Sequence, residues 1–284
     1  MSYNINAHKL IGSKVRQVAC PGKDSGLFTA GLPDTLVIHF TGGSSLDSSV
    51  EHLKNPDIKA SAHLVIGRNG EISQLIDFNR VAWHAGTSEW KGRTGLNRYS
   101  IGIELDNAGR MERAGQTFVS WFGRCYQAHE VIRAKHRNES SESYWHTYTE
   151  ALLTACFAVC RCLANTYPIN TIVGHEEIAP GRKIDPGPAF PLERLRDQIL
   201  VGRDEAPTEP RIQPSPTGMA EKAVVKAELL NIRQLPYVGA TPAGNPLPVG
   251  TEVEILERAE KWYRVSAITH GWVHGDYLQI RKAV

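Results

Sequence analysis

The chain has 284 residues, 41% of them apolar and 22% charged, which exceeds one typical domain and excludes global disorder. Its formal charge of +2 is too close to neutral to point to nucleic acid, and no apolar run approaches the roughly 18 residues of a membrane span. Residues 1–22 lack the apolar core of a secretory signal, and Lys14, Arg16 and Gln17 stand where a lipoprotein cysteine at Cys20 would need apolar neighbours, so synthesis in the cytoplasm without a signal peptide is expected.

In chain order, the first 33 residues are polar and glycine-containing, without a strong period, and are expected to wrap the domain. Residues 35–40, TLVIHF, read as a buried strand closed by Thr41-Gly42-Gly43. His39 then sits at its carboxyl end, where ligands collect in open α/β sheets. Residues 48–53 suit a helix. Residues 62–66 and 71–76 are two strands joined by the turn Gly67-Arg68-Asn69-Gly70, a hairpin. The small-residue loop 81–86 carries Trp83 and His84. In residues 100–105, SIGIEL, the side chains Ile101, Ile103 and Leu105 face one way and Glu104 the other, with Gly102 beside it leaving room. Residues 109–147 are mixed in character and read as an insertion with helical segments around 118–134. Thr149 suits the N-cap of a long helix running to about residue 165, apolar nearly all round. The cysteines Cys156, Cys160 and Cys162 fall within it, and with five cysteines in the chain they read as small buried hydrophobes in a reducing compartment rather than as a disulfide framework.

Residues 171–191, TIVGHEEIAPGRKIDPGPAFP, carry the densest chemistry. A strand end passes through His175 and crosses a Gly- and Pro-rich loop to Lys183 and Asp185. Pro180, Pro186 and Pro188 fix φ and remove backbone donors, so this segment cannot continue as a helix and loses less entropy when ordered. Histidine and aspartate suit zinc, and catalytic zinc takes three protein ligands with a fourth position for water. Ala179 stands where the zinc-helix motif needs its second histidine, so a third ligand must come from elsewhere in the fold. A zinc hydrolase accounts for most of these residues: His39, His175 and Asp185 hold the metal, Glu104 moves a proton and Lys183 stabilises an oxyanion. Eleven histidines also supply many pairs by chance. His8, His52, His129, His136, His146 and His270 read as surface or hydrogen-bonded core residues, His63 as structural, and His84 stands open between core and substrate cleft.

Residues 192–201 close this domain as a helix. The parse is then a domain at 1–201, a Pro-rich linker at 202–221 and a second domain at 222–284, where short strands at 228–233, 251–256, 262–266 and 271–273 alternate with Pro/Gly turns as in a small β-barrel.

Five blocks resemble the type 2 zinc-dependent N-acetylmuramoyl-L-alanine amidases, the superfamily of phage amidase lysins and peptidoglycan recognition proteins: LVIHFTGG at 36–43, SAHLVIGRNGEISQLI at 61–76, AWHAGTSEWKGRTGLNRYSIGIEL at 82–105, the helix opening at 148–151 and GHEEIAPGRKIDPGPAF at 174–190. The resemblance implies an α/β fold with a mixed central sheet flanked by helices, and zinc on His39, His175 and Asp185. It also implies catalytic roles for Glu104 and Lys183, and a substrate groove along Trp83 and His84. The activity implied is cleavage of the amide between N-acetylmuramic acid and L-alanine, with peptidoglycan or muropeptides as partners. The segment 109–147 is longer than the family usually carries. The tail is similar to bacterial SH3-like wall-binding modules, through Leu230-Asn231-Ile232-Arg233, Lys261-Trp262-Tyr263-Arg264-Val265 and Gly271-Trp272-Val273-His274, with Trp262, Tyr263 and Trp272 as an aromatic wall-binding surface. The alternatives are a cytosolic amidase acting on soluble anhydromuropeptides in wall recycling, and a non-catalytic muropeptide binder. Enzyme action is expected at the wall after release or delivery, or in the cytoplasm on recycled fragments.

Overall fold

The β-branched and aliphatic run at 35–40 is the middle of the molecule's main sheet. A computed structural model of the chain describes residues 3–200 and, beyond them, 213–214, 221–226, 229–233, 236, 243–259, 262–267, 270–274 and 278–280. The chain divides into two units, Met1–Arg203 and Asp204–Val284. Most of the linker falls outside the described residues.

In the first unit the main-sheet strands are β1 (Val15–Gln17), β2 (Thr35–Phe40), β3 (Leu64–Ile66), β4 (Ile72–Gln74), β5 (Ser100–Leu105) and, after the insertion, β11 (Thr171–Gly174). Their order across the sheet is β11-β2-β5-β3-β4-β1. The β2, β3, β5 and β11 strands run parallel and β3 pairs with β4 antiparallel, so the sheet is mixed. The 35–40 and 100–105 strands fall where the alternation placed them. The N-terminal segment does more than wrap: β1 forms the sheet edge against β4, and Asn4–Asn6 and Lys9–Ile11 make a separate small hairpin.

The two faces of the sheet have separate jobs. Leu36, Ile38, Ile101, Ile103 and Leu105 enter one core with the helices α2 (Glu150–Thr166) and α3 (Leu192–Leu200). Because side chains alternate along a strand, Val37, His39, Gly102 and Glu104 belong to the other face. α1 (Leu46–Lys54) begins at Ser45, whose hydroxyl accepts from the Ser48 N–H at 3.2 Å. α2 begins at Thr149, whose Oγ1 accepts from the Leu152 N–H at 3.3 Å, and buries residues on nearly every side. Cys156 and Cys160 lie fully inside that core as free thiols.

The insertion corrects the sequence reading. Residues 118–134 contain no α-helix. They belong to a second, antiparallel sheet of β6 (Arg110–Ala114), β7 (Thr117–Ser120), β8 (Cys125–Tyr126), β9 (Val131–Lys135) and β10 (Glu142–His146), in the order β8-β7-β6-β10-β9, with one turn of 3-10 helix at Ala128–Glu130. Ala108, Met111 and Tyr126 form its small core.

In the second unit β12 (Glu221–Val225), β13 (Glu252–Ala259), β14 (Trp262–Ser266), β15 (His270–His274) and β16 (Leu278–Ile280) pair antiparallel in the order β15-β14-β13-β12-β16. Ala223, Val225, Val253, Ile255, Val265 and Val273 share one core. This is the period-2 pattern of a half-buried sheet.

Candidate metal centre

Strand register assembles the site. In β2 and β5 the residue opposite His39 is Glu104, and in β11 the residue opposite Ile38 is Gly174, from which the chain turns into a short helix at His175–Ile178. The loop beyond it returns to Asp185, and the Glu176 N–H donates to the Asp185 carbonyl at 2.8 Å, closing it. The Tyr148 hydroxyl donates to the Pro186 carbonyl at 2.8 Å. His175 and Asp185 are thereby brought to His39. The Nδ1 atoms of His39 and His175 stand 2.9 Å apart, and Asp185 Oδ2 lies 3.0 Å from the first and 2.9 Å from the second. All three residues are buried.

The backbone fixes which nitrogens carry hydrogens. A carbonyl only accepts, so His175 Nε2, 3.1 Å from the Ala85 carbonyl, is the nitrogen that donates, and the tautomer with its hydrogen there presents a lone pair at Nδ1. For His39 the same logic runs through a second ring. His84 Nε2 donates to the Ser100 carbonyl at 3.2 Å, which leaves His84 Nδ1 to accept from His39 Nε2 at 3.0 Å. His39 Nδ1 is then a lone pair as well. Burial, with the His175 ring close by, pushes His39 down to about 4, and burial pushes His84 well below its ordinary value, so both are neutral near pH 7. Two lone pairs and a carboxylate oxygen at about van der Waals distance repel one another unless a cation lies among them. The donor set of two imidazoles and one carboxylate fits a metal of the zinc type.

Around these atoms opens a cavity of about 680 Å³, whose wall includes Glu104, Lys183, Trp83 and His84. Glu104 Oε2 is enclosed and has no hydrogen-bond partner among the described residues. Burial pushes the Glu104 carboxyl well above its ordinary value, the Asp185 charge adds to this, and Lys183 opposes both. His84 has its ring edge-on to His39, with centroids 5.1 Å apart, so its main contact is with a ligand residue behind the cavity. Trp83 is anchored through Nε1, which donates to Ser25 Oγ at 2.7 Å. Gly102 is what admits the His84 ring: a Cβ there would stand 2.3 Å from its Cγ.

The remaining histidines find other partners. His63 Nε2 donates to the Arg80 carbonyl at 2.8 Å while its Nδ1 accepts from Gly102 N–H at 3.0 Å. His146 Nδ1 accepts from Ala108 N–H at 3.1 Å. His136 Nε2 meets the Glu176 carboxylate at 2.7 Å, beside the metal loop. In the second unit the Tyr263 hydroxyl accepts from Arg258 Nη1 at 3.0 Å, with that guanidinium 4.5 Å from its ring centre, and Trp262 is partly buried. The Trp272 side chain lies outside the described residues. Trp121 and Phe122, from the insertion, also wall the cavity and escaped the sequence reading. Their only signal was an adjacent aromatic pair in a glycine-containing turn.

A family model described as N-acetylmuramoyl-L-alanine amidase matches residues 29–188. Among curated proteins, the 1,6-anhydro-N-acetylmuramyl-L-alanine amidase AmpD of Escherichia coli (strain K12) is 34% identical over 149 residues, 52% of this chain and 61% of that protein. AmpD of Salmonella typhimurium (strain SL1344) is 33% identical over 164 residues, covering 57% of this chain and 69% of that protein. The N-acetylmuramoyl-L-alanine amidase AmiD of Escherichia coli (strain K12) is 34% identical over 172 residues, 57% of this chain and 52% of AmiD. The chain thus spans between about half and two thirds of these relatives. A crystal structure of a selenomethionine AmpD derivative is similar with 29% identity and a TM-score of 0.44, over 66% of this chain and 96% of that one.

Proposed function

The chain belongs to the N-acetylmuramoyl-L-alanine amidase family, and from that membership we propose that it hydrolyses the amide between N-acetylmuramic acid and the L-alanine of a peptidoglycan stem, with zinc on His39, His175 and Asp185. The observation that carries the reading is the convergence of three lone-pair donors beside Glu104 and Lys183 in one open cavity. Zinc held there would polarise the amide carbonyl and lower the pKa of water.

The chain's own residues do the rest. In the hydrolysis a water oxygen bonds to the carbonyl carbon, the C–N bond breaks and the departing amine must gain a proton. Glu104 takes up the proton that the attacking water gives up and passes it to that amine: its enclosed Oε2 has no hydrogen-bond partner among the described residues, and burial raises its affinity for a proton. The Lys183 ammonium faces the same space and stabilises negative charge as it builds on the carbonyl oxygen. His84 keeps the His39 lone pair turned toward the metal, and Trp83 lines the groove. The second unit is read as an SH3-like wall-docking module, supported by its antiparallel strand order and the core its described strands share, with Trp262, Tyr263 and Trp272 as its aromatic residues. A tether of this kind raises the local concentration of the hydrolase at an insoluble polymer.

The test is mass spectrometry of products from purified sacculi and, in parallel, from soluble anhydromuramoyl-peptides, with a chelated control. Free peptides beginning at L-alanine from sacculi are expected. Release from soluble fragments alone would leave the amidase and remove the wall-docking role, and metal content with no turnover on any substrate would leave only a binder. Glu104→Gln is expected to keep its metal and lose about 100-fold or more in kcat.

A further inference from the structure

Trp121 stands in the turn between β7 and β8 and is the most exposed of the large apolar side chains among the described residues, at 79%. Its position is nevertheless fixed. The indole Nε1 donates to the Gly42 carbonyl at 2.6 Å, Arg124 Nη1 donates to the Ser44 carbonyl at 3.3 Å, and the Phe122 ring stands edge-on to the indole at 5.6 Å. Both carbonyls belong to the loop that follows His39, so this turn of the inserted sheet is pinned to the mouth of the cavity. A short polar side chain would serve as such a peg. A rigid apolar ring kept in water beside a binding cavity marks a surface that a ligand covers.

The chemistry of that ligand follows from what is left free. The protein already uses the N–H edge, so the indole offers its faces. Trp83, its Nε1 held by Ser25, offers the cavity the same. The same lining carries the hydroxyls of Thr41, Ser44, Ser48 and Ser49, of which Thr41, Ser48 and Ser49 give their hydrogens to the Asn107 and Ser45 carbonyls and keep lone pairs to accept with, whereas the carboxylates and the lysine of the lining, Glu104, Asp185 and Lys183, belong to the metal end. A flat apolar face next to uncharged hydroxyls suits a pyranose ring, whose C–H groups stack while its hydroxyls exchange hydrogen bonds.

We propose that Trp121 is a stacking platform for a pyranose ring of the glycan chain, so that the inserted sheet adds a carbohydrate subsite to this cavity. The proposal rests on the amidase reading for its choice of glycan over other ring compounds.

The experiment is calorimetric titration of the metal-loaded full chain with tetra-N-acetylchitotetraose, for the wild type, Trp121→Ala and Trp121→Phe, with hydrolysis of a muramoyl-L-alanine peptide measured alongside. Trp121→Ala is expected to weaken binding about tenfold or more, and Trp121→Phe, which keeps a ring face and loses only the N–H, by less than about threefold. No binding by the wild type, or equal binding by Trp121→Ala, overturns the subsite; equal binding would place the sugar on the second unit. Loss in both variants alike makes the indole a peg and overturns it too. If no substrate is hydrolysed while Trp121→Ala still loses the sugar, the amidase reading falls and the subsite stands.

Discussion

At the scale of single residues, the proposed metal centre depends on a group outside its three ligands. His84 carries the preference of the Ser100 carbonyl across its own ring to His39, and Gly102 leaves the space in which that ring sits. Outer hydrogen bonds of this kind typically change metal affinity by about 10- to 100-fold. His84→Phe is therefore expected to lose about that factor in zinc affinity while keeping its far-UV circular dichroism, as read by competition with a chromophoric chelator. Gly102→Ala, which drives a methyl into the same ring, is expected to shift affinity in the same direction. Affinity equal to the wild type in both would remove His84 from the support of the centre. His39, His175 and Asp185 were legible in the sequence because strand ends and Pro-rich loops announce themselves locally. The place of His84 was not, since its partners His39 and Ser100 meet it only across the folded sheet.

Among the elements, the inserted sheet acts as a brace for the loop that carries His175. His136 at the end of β9 donates through Nε2 to Glu176, its ring is stacked on Trp145 at 5.5 Å, and Asn138 Nδ2 donates to the Glu176 carbonyl at 2.9 Å. Arg137 pairs with Glu177. Gly187, at φ +73°, lies under Trp145, where a Cβ would come within 2.9 Å of the indole. Removing His136 takes one partner from the buried Glu176 carboxylate, which keeps the Gly187 N–H at 3.0 Å and Arg137 Nε at 3.5 Å, so His136→Ala is expected to destabilise the first unit by about 1–3 kcal/mol in urea unfolding. Glu176→Gln on top of it should recover part of that loss, because the group left inside no longer carries charge. The helical reading of 118–134 failed for an identifiable reason. Phe118, Phe122 and Tyr126 recur every four residues as on a helix face, but the turns at 115–116 and 121–124 reverse the chain between them, and each returning strand points its apolar residues into the same small core. Where one strand ran straight and buried, as at 35–40 and 100–105, period and boundaries were both readable; short strands joined by tight turns leave no such window.

For the whole molecule, buried neutral histidines set a dependence of stability on pH. Burial pushes His63 down to about 4 and His146 down to about 3, while in the unfolded chain each returns to near 6.5. The unfolded state therefore takes up protons first as pH falls. Unfolding free energy is full above about pH 6.5 and declines below it, by up to roughly 1.4 kcal/mol per pH unit for each residue, until the folded-state value is reached. Urea unfolding between pH 7 and pH 5, in chelator so that metal release does not enter, should show this decline, and His63→Gln should flatten it; an unchanged slope would mean that His63 is protonated within the fold. The parallel register has a consequence in time as well. Synthesis delivers His39 early, Glu104 later and His175 with Asp185 only near the end of the first unit, and parallel strands cannot pair until the crossovers between them exist. A nascent or misregistered chain holds these groups scattered, none able to capture a metal alone. On the proposed reading the site is thus inert until its sheet is complete, and an unfinished chain is unable to cut.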